Sequence, residues 1–365
     1  MKKLLIFHPT IAGYRIDLFN DLYKAFETRI CLRYRNLRSQ KFDYEKIAAQ
    51  FEFTPIYKNV DSKTGWRTFY WKNLDDFNPD IVLVEEFSIG AIFVLLHRFI
   101  KRKKYKIISI CDDSYNMVTE NNDFSKAHKY ARKIITPLID SLILVEPNVT
   151  KWYNKNYKKG YCFPIIKSDE KARNDYKRLI PLSNKIAKVH AINNKKVFLF
   201  VGRLVALKNV EMAIRAFARL NQEENIFVII GDGPERNNLE ALAKELKANV
   251  LFTGRLEGDE LNAWYNIARC FILPSYQEPF GAVTNEALLA GCKSLISNKA
   301  GSNCLISEGK NGYIIDPFNI DDIAEKMQII SSEIESSEEI VLKDNNMTFS
   351  YNECITKLIS YIKNI

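Results

Sequence analysis

Two glutamates, Glu278 and Glu286, stand eight positions apart around Phe280-Gly281 in the run from Pro274 to Leu288, PSYQEPFGAVTNEAL. The apolar residues that end at Pro274 read as a buried strand, and Glu286 falls in the helix that follows. Gly281 lets a ligand come close to the backbone at the start of that helix. Glu286 has Val283, Ala287, Leu288, Leu289 and Ala290 around it, an odd place for a surface charge. A carboxylate there could accept hydrogen bonds from ribose hydroxyls, as acidic residues do in dinucleotide sites. The spacing argues against a hydrolase. Eight helical residues rise by about 12 Å, whereas paired glycosidase carboxylates stand about 5–9.5 Å apart. Two carboxylates that touch different parts of one extended ligand fit better.

Three further segments also follow apolar strands. In Gly202-Arg203-Leu204-Val205-Ala206-Leu207-Lys208-Asn209 an arginine comes directly after a strand and a lysine near the start of the next helix. A guanidinium fork and an ammonium point charge suit a diphosphate, and a helix N-terminus adds donors. A solvated basic pair is the competing reading. Gly231-Asp232-Gly233-Pro234 reads as a tight turn. Gly254-Arg255-Leu256 could edge a nucleotide base with its backbone, or be a turn only.

These segments need a scaffold that brings strand ends together. Strands are expected at Val197–Val201, Ile226–Ile230, Val250–Phe252, Cys270–Leu273, Ser294–Ile296 and Tyr313–Ile315, alternating with helices of about ten residues. Short apolar strands alternating with helices indicate a parallel sheet covered on both faces. The first half repeats the theme with strands at Leu4–Phe7, Ile30–Tyr34, Ile81–Val84, Ile107–Ile110 and Leu142–Val145. Helices are expected around 89–99 and 126–139. Residues 160–190 read as a charged connector, and a last helix at about 351–365 could pack on either half. The chain has 365 residues, more than one core usually serves. The expected organisation is an α/β protein of two doubly wound domains facing across a cleft, at 1–165 and 190–345. Ligands would bind at the carboxyl ends of the strands.

From Val197 to about Pro317 the sequence resembles the nucleotide-sugar-binding half of the GT4 family of retaining glycosyltransferases, which has the GT-B fold of two Rossmann-like domains. Gly202-Arg203 with Lys208, Gly231-Asp232-Gly233-Pro234, Gly254-Arg255-Leu256 and the Glu278–Glu286 pair around Phe280-Gly281 carry the resemblance, in order. The first half is similar mainly through its strand-helix pattern and Gly13. The resemblance implies that Arg203 and Lys208 bind the donor diphosphate and that Glu286 binds the ribose. It implies that Glu278, with the backbone of Phe280, Gly281 and Ala282, holds the sugar. It also places the base near Arg255 and Leu256, and lets Gly13 bring the first loop to the phosphate. Many members set a histidine of the first domain near the transferred sugar. Here the corresponding stretch is Ser109-Ile110-Cys111-Asp112-Asp113-Ser114, without histidine. Asp112 is the nearest polar candidate for a sugar or acceptor contact. His8, His97, His128 and His190 offer no obvious substitute.

The implied reaction is retaining hexosyl transfer, UDP-sugar favoured over GDP-sugar, to a glycan or lipid-linked acceptor in bacterial surface polysaccharide or lipopolysaccharide synthesis. A sugar-nucleotide epimerase or a phosphorylase on the same fold is the alternative. No Asp-x-Asp triplet and no Cys/His cluster occurs, so no catalytic metal or other cofactor is expected. The chain has no G-x-G-x-x-G after a strand and no P-loop.

The net charge of +9 is uneven. Residues 1–180 hold 33 Lys+Arg against 21 Asp+Glu, a balance of +12, and the remainder is at −3. An anionic membrane, an anionic substrate, nucleic acid and a merely solubilising surface compete for this charge. Two glutamates in the expected cleft speak against nucleic acid. Six of the basic residues fall within Arg98–Lys106, mixed with Phe99, Ile100 and Tyr105. The stretch 97–106 is either an anchor on an anionic membrane or a solvated helix end with Tyr105 packed inward. MKKLLIFHP is too short for a signal peptide, and the longest apolar run is far below the roughly 20 residues of a membrane span. The expectation is a cytoplasmic protein, peripheral on the inner membrane face if 97–106 anchors it.

Overall fold

The computed structural model describes residues 1–35, 44–57, 65–120 and 125–365. They form two compact units, Met1–Ile166 with Tyr351–Ile365, and Lys167–Ser350. Each is an α/β unit around one parallel sheet, the architecture expected for a GT-B chain.

In the first unit the strands are β1 (Lys3–His8), β2 (Glu27–Leu32), β3 (Ile56–Tyr57), β4 (Ile81–Glu85), β5 (Lys106–Cys111), β6 (Ser141–Leu144) and β7 (Tyr161–Cys162). They lie in the order β3-β2-β1-β4-β5-β6-β7, every pair parallel. The helices are α1 (Ile16–Ala25), α2 (Tyr44–Ala48), α3 (Trp66–Phe77), α4 (Ile89–Ile100), α5 (Tyr115–Thr119), α6 (Lys126–Ile135) and α7 (Pro147–Tyr157). Local chemistry sets their starts. Ser88 caps α4 by accepting from the Ala91 amide. Buried Glu146 accepts from the Asn148 and Val149 amides at 2.8 Å each, with Pro147 at the first helical position. The order reverses at β1/β4, so the loops after these two strands diverge and leave room for a ligand.

The second unit begins with α8 (Asp169–Arg178) and α9 (Ile180–Val189). Its strands are β8 (Lys196–Val201), β9 (Asn225–Ile230), β10 (Val250–Gly254), β11 (Cys270–Leu273), β12 (Lys293–Ser297) and β13 (Gly312–Ile315). The helices between and after them are α10 (Val210–Phe217), α11 (Arg236–Glu245), α12 (Gly258–Ile267), α13 (Val283–Leu289) and α14 (Ile320–Glu333). The parallel order β10-β9-β8-β11-β12-β13 reverses at β8/β11. Val197–Val201, all of β9 and all of β11 are buried, as strands covered on both faces must be.

Of the expected connector at 160–190, residues 160–166 belong to the first unit and carry β7, and the rest forms α8 and α9 of the second. Helix α8 buries only Tyr176 and carries no readable apolar stripe, whereas α9 buries Ser183 and Ala187 and packs Ile180 and Ile186 on the core. The last helix, α15 (Tyr351–Asn364), belongs to the first unit. It buries Ile355, Leu358 and Ile362, and the Tyr351 hydroxyl donates to Asp21 at 2.8 Å. The Tyr361 ring stacks on Tyr161 with centroids 4.4 Å apart.

Candidate functional site

The chemistry-bearing loops of the second unit sit at the β8/β11 reversal. After β8 the chain turns through Gly202 and exposed Arg203 into a 3-10 turn at Ala206–Lys208. Asn209 then takes a left-handed conformation (φ 55°) before α10 starts. Its buried amide donates to the carbonyls of Pro274 at 3.0 Å and Pro317 at 2.8 Å, and the Tyr276 amide donates to Leu207 O at 3.0 Å. Asn209 thus latches the Lys208 turn to the loop after β11.

Glycines at 231 and 233 allow the neighbouring loop to pack on this turn. A Cβ on Gly231 would lie 1.8 Å from Gly202 O, and one on Gly233 would lie 2.3 Å from Leu204 O. The Leu204 amide donates to Asp232 O at 2.9 Å. The Gly-Asp-Gly-Pro run is therefore a brace for the Arg203 loop. Gly254 (φ 76°) ends β10, Arg255 pairs with Glu257, and Leu256 packs on the core.

Glu278 is held by its backbone, which accepts from the Gly301 amide at 3.1 Å and donates to Lys299 O at 3.2 Å. Its carboxylate is mostly buried and pairs with the Lys208 ammonium. Phe280 is buried, and Gly281 turns with φ 93° into Ala282 and α13. Glu286 on α13 is not an isolated charge among apolar residues, because three groups satisfy it. Its carboxylate pairs with the Lys167 ammonium and accepts from the Tyr265 hydroxyl at 3.1 Å. The Tyr176 hydroxyl donates to its carbonyl at 2.9 Å. Burial first, and the Glu286 carboxylate second, push both phenols far up, so both remain donors. Asn285, also buried, accepts from the Lys167 amide at 2.9 Å. The second unit therefore brings two Lys–Glu pairs, Lys208–Glu278 and Lys167–Glu286, to the loops around its sheet reversal. Among the described residues Arg203 has no ion-pair partner.

The first unit has its own polar cluster at the β1/β4 reversal. A cavity of about 240 Å³ is lined there by His8, Arg15, Glu85, Glu86 and Asp112, among others. Arg15, buried, pairs with Asp112, and Arg33 pairs with Glu85. Asp112, read from sequence as a sugar or acceptor contact, lines the cavity but carries an arginine already. Gly13 opens the 3-10 turn Gly13–Arg15, and a Cβ there would meet nothing within 4 Å. Asp113 is a packing group, accepting from Tyr153 at 2.6 Å and from Arg132 at 3.3 Å. His128 lies 3.5 Å from Asp113 and 3.9 Å from Glu86, so with His8 two of the four histidines reach the cluster. Burial, with Arg15 adding to it, holds His8 neutral by lowering its pKa to about 3.

Residues 183–343 match the sequence profile of the family described as glycosyl transferases group 1. That segment is a glycosyl transferases group 1 domain. An uncharacterized glycosyltransferase of Methanocaldococcus jannaschii is 24% identical over 355 residues, 91% of this chain and 81% of that protein. A Campylobacter jejuni alpha-1,4-N-acetyl-D-galactosaminyltransferase, whose name gives an undecaprenol-diphosphate-linked acceptor, is 30% identical over 251 residues, 66% and 65% of the two chains. Against several other curated relatives the chain spans only about a third of their length. Among solved structures, Anabaena HepE in complex with UDP and glucose superposes with a TM-score of 0.75 at 15% identity, covering 100% of both chains. The lipopolysaccharide outer core galactosyltransferase WaaB superposes with a TM-score of 0.69 at 18% identity, covering 99% of both. At these identities the likeness establishes the GT-B fold.

Sequence alone assigns no role to Lys167, Tyr265 or Asn209. Lys167 precedes the Ser168 cap of α8, a start signal that the connector reading passed over. Nor does sequence assign one to Glu86, which follows β4 in a left-handed conformation (φ 42°). Burial first, then Asp112, Glu85 and Asp113, push the Glu86 carboxyl up to about 8. The folded form therefore holds a proton that the unfolded chain loses near pH 4.5. Stability from this group is complete below pH 4.5 and falls as the pH rises through about 8. Glu86→Gln is expected to melt with wild type near pH 5 and above it near pH 9, on either side of that fall. Calorimetric melts at the two pH values check this, and equal shifts at both would contradict it.

Proposed function

We propose that this chain transfers a hexose from a nucleotide-sugar, UDP-sugar favoured, to a glycan or lipid-linked acceptor with retention at the anomeric carbon. The observation that carries the proposal is the pairing of Lys208 with Glu278 at the β8/β11 reversal, in the same loop cluster as Arg203. The UDP named for HepE and the lipid-linked acceptor named for the Campylobacter enzyme support the donor and acceptor classes. In this proposal Arg203 and Lys208 take the diphosphate, Glu286 the ribose, and Glu278 with the Phe280-Gly281-Ala282 backbone the sugar. Arg255 and Leu256 edge the base, and Gly13 leaves the first loop open to the donor. As the bond from the anomeric carbon to the phosphate oxygen breaks, charge grows on the diphosphate, and the lysine and arginine stabilise it in place of a metal. The acceptor hydroxyl bonds to the same face of the sugar and gives its proton to the departing phosphate. A lipid-linked acceptor of that class would fit bacterial surface polysaccharide synthesis on the inner face of the cytoplasmic membrane.

A thermal-shift screen of UDP, GDP and their sugars tests the donor. UDP-sugars are expected to raise the melting temperature, and stabilisation by GDP-sugars alone would reverse the base assignment. Product analysis with and without a glycan acceptor follows. Sugar release or epimerisation in equal yield without acceptor would favour an epimerase or phosphorylase.

A further inference from the structure

Helix α4 is apolar nearly all round. Between Ile89 and Ile100 its one charged side chain is Arg98, and His97 is fully buried between Asp75 and the Tyr105 hydroxyl. Tyr105 does pack inward, donating to Val94 O at 2.8 Å. The inner face is thus satisfied by Ala91, Val94 and His97, yet the outer face is apolar too. Ile89, Ile92, Leu96, Phe99 and Ile100 are exposed, Phe99 by 83%. Their spacing makes one stripe along the helix.

A second stripe continues it. Tyr130 and Ile134 on α6 and Leu138 in the following turn are exposed at spacings of four. The two helices are tied together, since the Arg98 guanidinium bonds Leu138 O and Asp140. An open depression lined by Leu96, Phe99, Ile100 and Leu138 joins the stripes. Lysines and arginines rim it: Lys101, Arg102 and Lys104 are exposed beyond α4, and Lys126 and Lys133 on α6. Of the nearby acids, Asp75 faces Lys101 at 3.9 Å and accepts from His97, which burial keeps neutral, and Asp140 pairs with Arg98 and Lys106.

We propose that the outer faces of α4 and α6 lie on an anionic lipid bilayer, with Leu96, Phe99, Ile134 and Leu138 among the acyl chains. Lys101, Arg102, Lys104 and Lys133 then reach lipid phosphates with their ammonium and guanidinium groups, their stems lying along the interface. The charge selects this occupant. In a two-fold contact between copies the same basic rim would face itself, whereas an anionic headgroup layer complements it. The docking stands independently of the donor assignment.

Co-sedimentation of the full chain with vesicles tests it, using phosphatidylcholine alone or mixed with phosphatidylglycerol, at low and high salt. The wild type is expected to sediment with the anionic vesicles and to release at high salt. Phe99→Ser with Ile134→Ser should weaken partitioning by roughly tenfold or more, since both side chains leave the acyl region. Lys101→Ser, Arg102→Ser and Lys104→Ser together should weaken it roughly fivefold for each charge removed. These side chains are exposed, and unchanged melting temperatures verify the folds. Wild-type sedimentation of both variants, or equal sedimentation with neutral vesicles, overturns the proposal. So does a lipid-free dimer that Phe99→Ser with Ile134→Ser dissolves, because a second copy would then cover the stripes.

Discussion

Lys208→Ala is expected to lose most sugar transfer while melting within a few degrees of wild type. The ammonium at Lys208 pairs with Glu278, and the turn beneath it is held by Asn209 rather than by the lysine. If Lys208 holds the diphosphate as proposed, its removal deletes a charge-assisted contact where negative charge grows, a loss of about 2–4 kcal/mol in a water-excluded site. That corresponds to roughly 30- to 1000-fold in turnover. It also leaves the Glu278 carboxylate without its cation, which repels the diphosphate further. Steady-state rates with saturating donor check this, and near-normal turnover would remove Lys208 from the diphosphate.

Glu286→Gln should weaken binding of the donor and of the free nucleoside diphosphate alike, because both carry the ribose. The neutral amide that replaces the carboxylate cannot form the ion pair with Lys167, though its oxygen can still accept from Tyr265. A carboxylate that takes two ribose hydroxyls is worth about 1.5–3 kcal/mol per charged hydrogen bond, so binding weaker by roughly tenfold or more is expected. Glu278→Gln should cut sugar transfer far more than diphosphate affinity. Calorimetry with bare UDP separates the two, and equal losses of UDP affinity in both variants would contradict the division of roles.

The two sheets were legible because their strands are buried on both faces. Runs such as Val197–Val201 and Ile226–Ile230 have few other readings. What escaped were elements with little apolar content or little length. The two-residue strands Ile56–Tyr57 and Tyr161–Cys162 cannot show a period, and α8 is charged except for Tyr176 and a few small or polar residues. Among the site residues, those directly after long strands stood out. Lys167 and Tyr265 did not, since each reaches Glu286 from another element, and only tertiary packing brings them there. Asn209 was hidden for a different reason: its role rests on a left-handed backbone angle. The stretch from Ile89 reads in sequence as an apolar helix, but sequence does not show which of its faces the fold leaves open.

Helix α15 completes the first unit although the whole second unit lies between it and the rest of that unit in the chain. Synthesis is vectorial, so the ribosome delivers residues 167–350 before it delivers the helix that covers α1. During that interval the second unit has its entire sequence and can close its core, while the first waits with the surface for Ile355, Leu358 and Ile362 bare. Maturation of the nascent chain thus runs opposite to the order of its two halves. A stop codon shortly before Tyr351 would leave the second unit whole and the first exposed to proteases and chaperones.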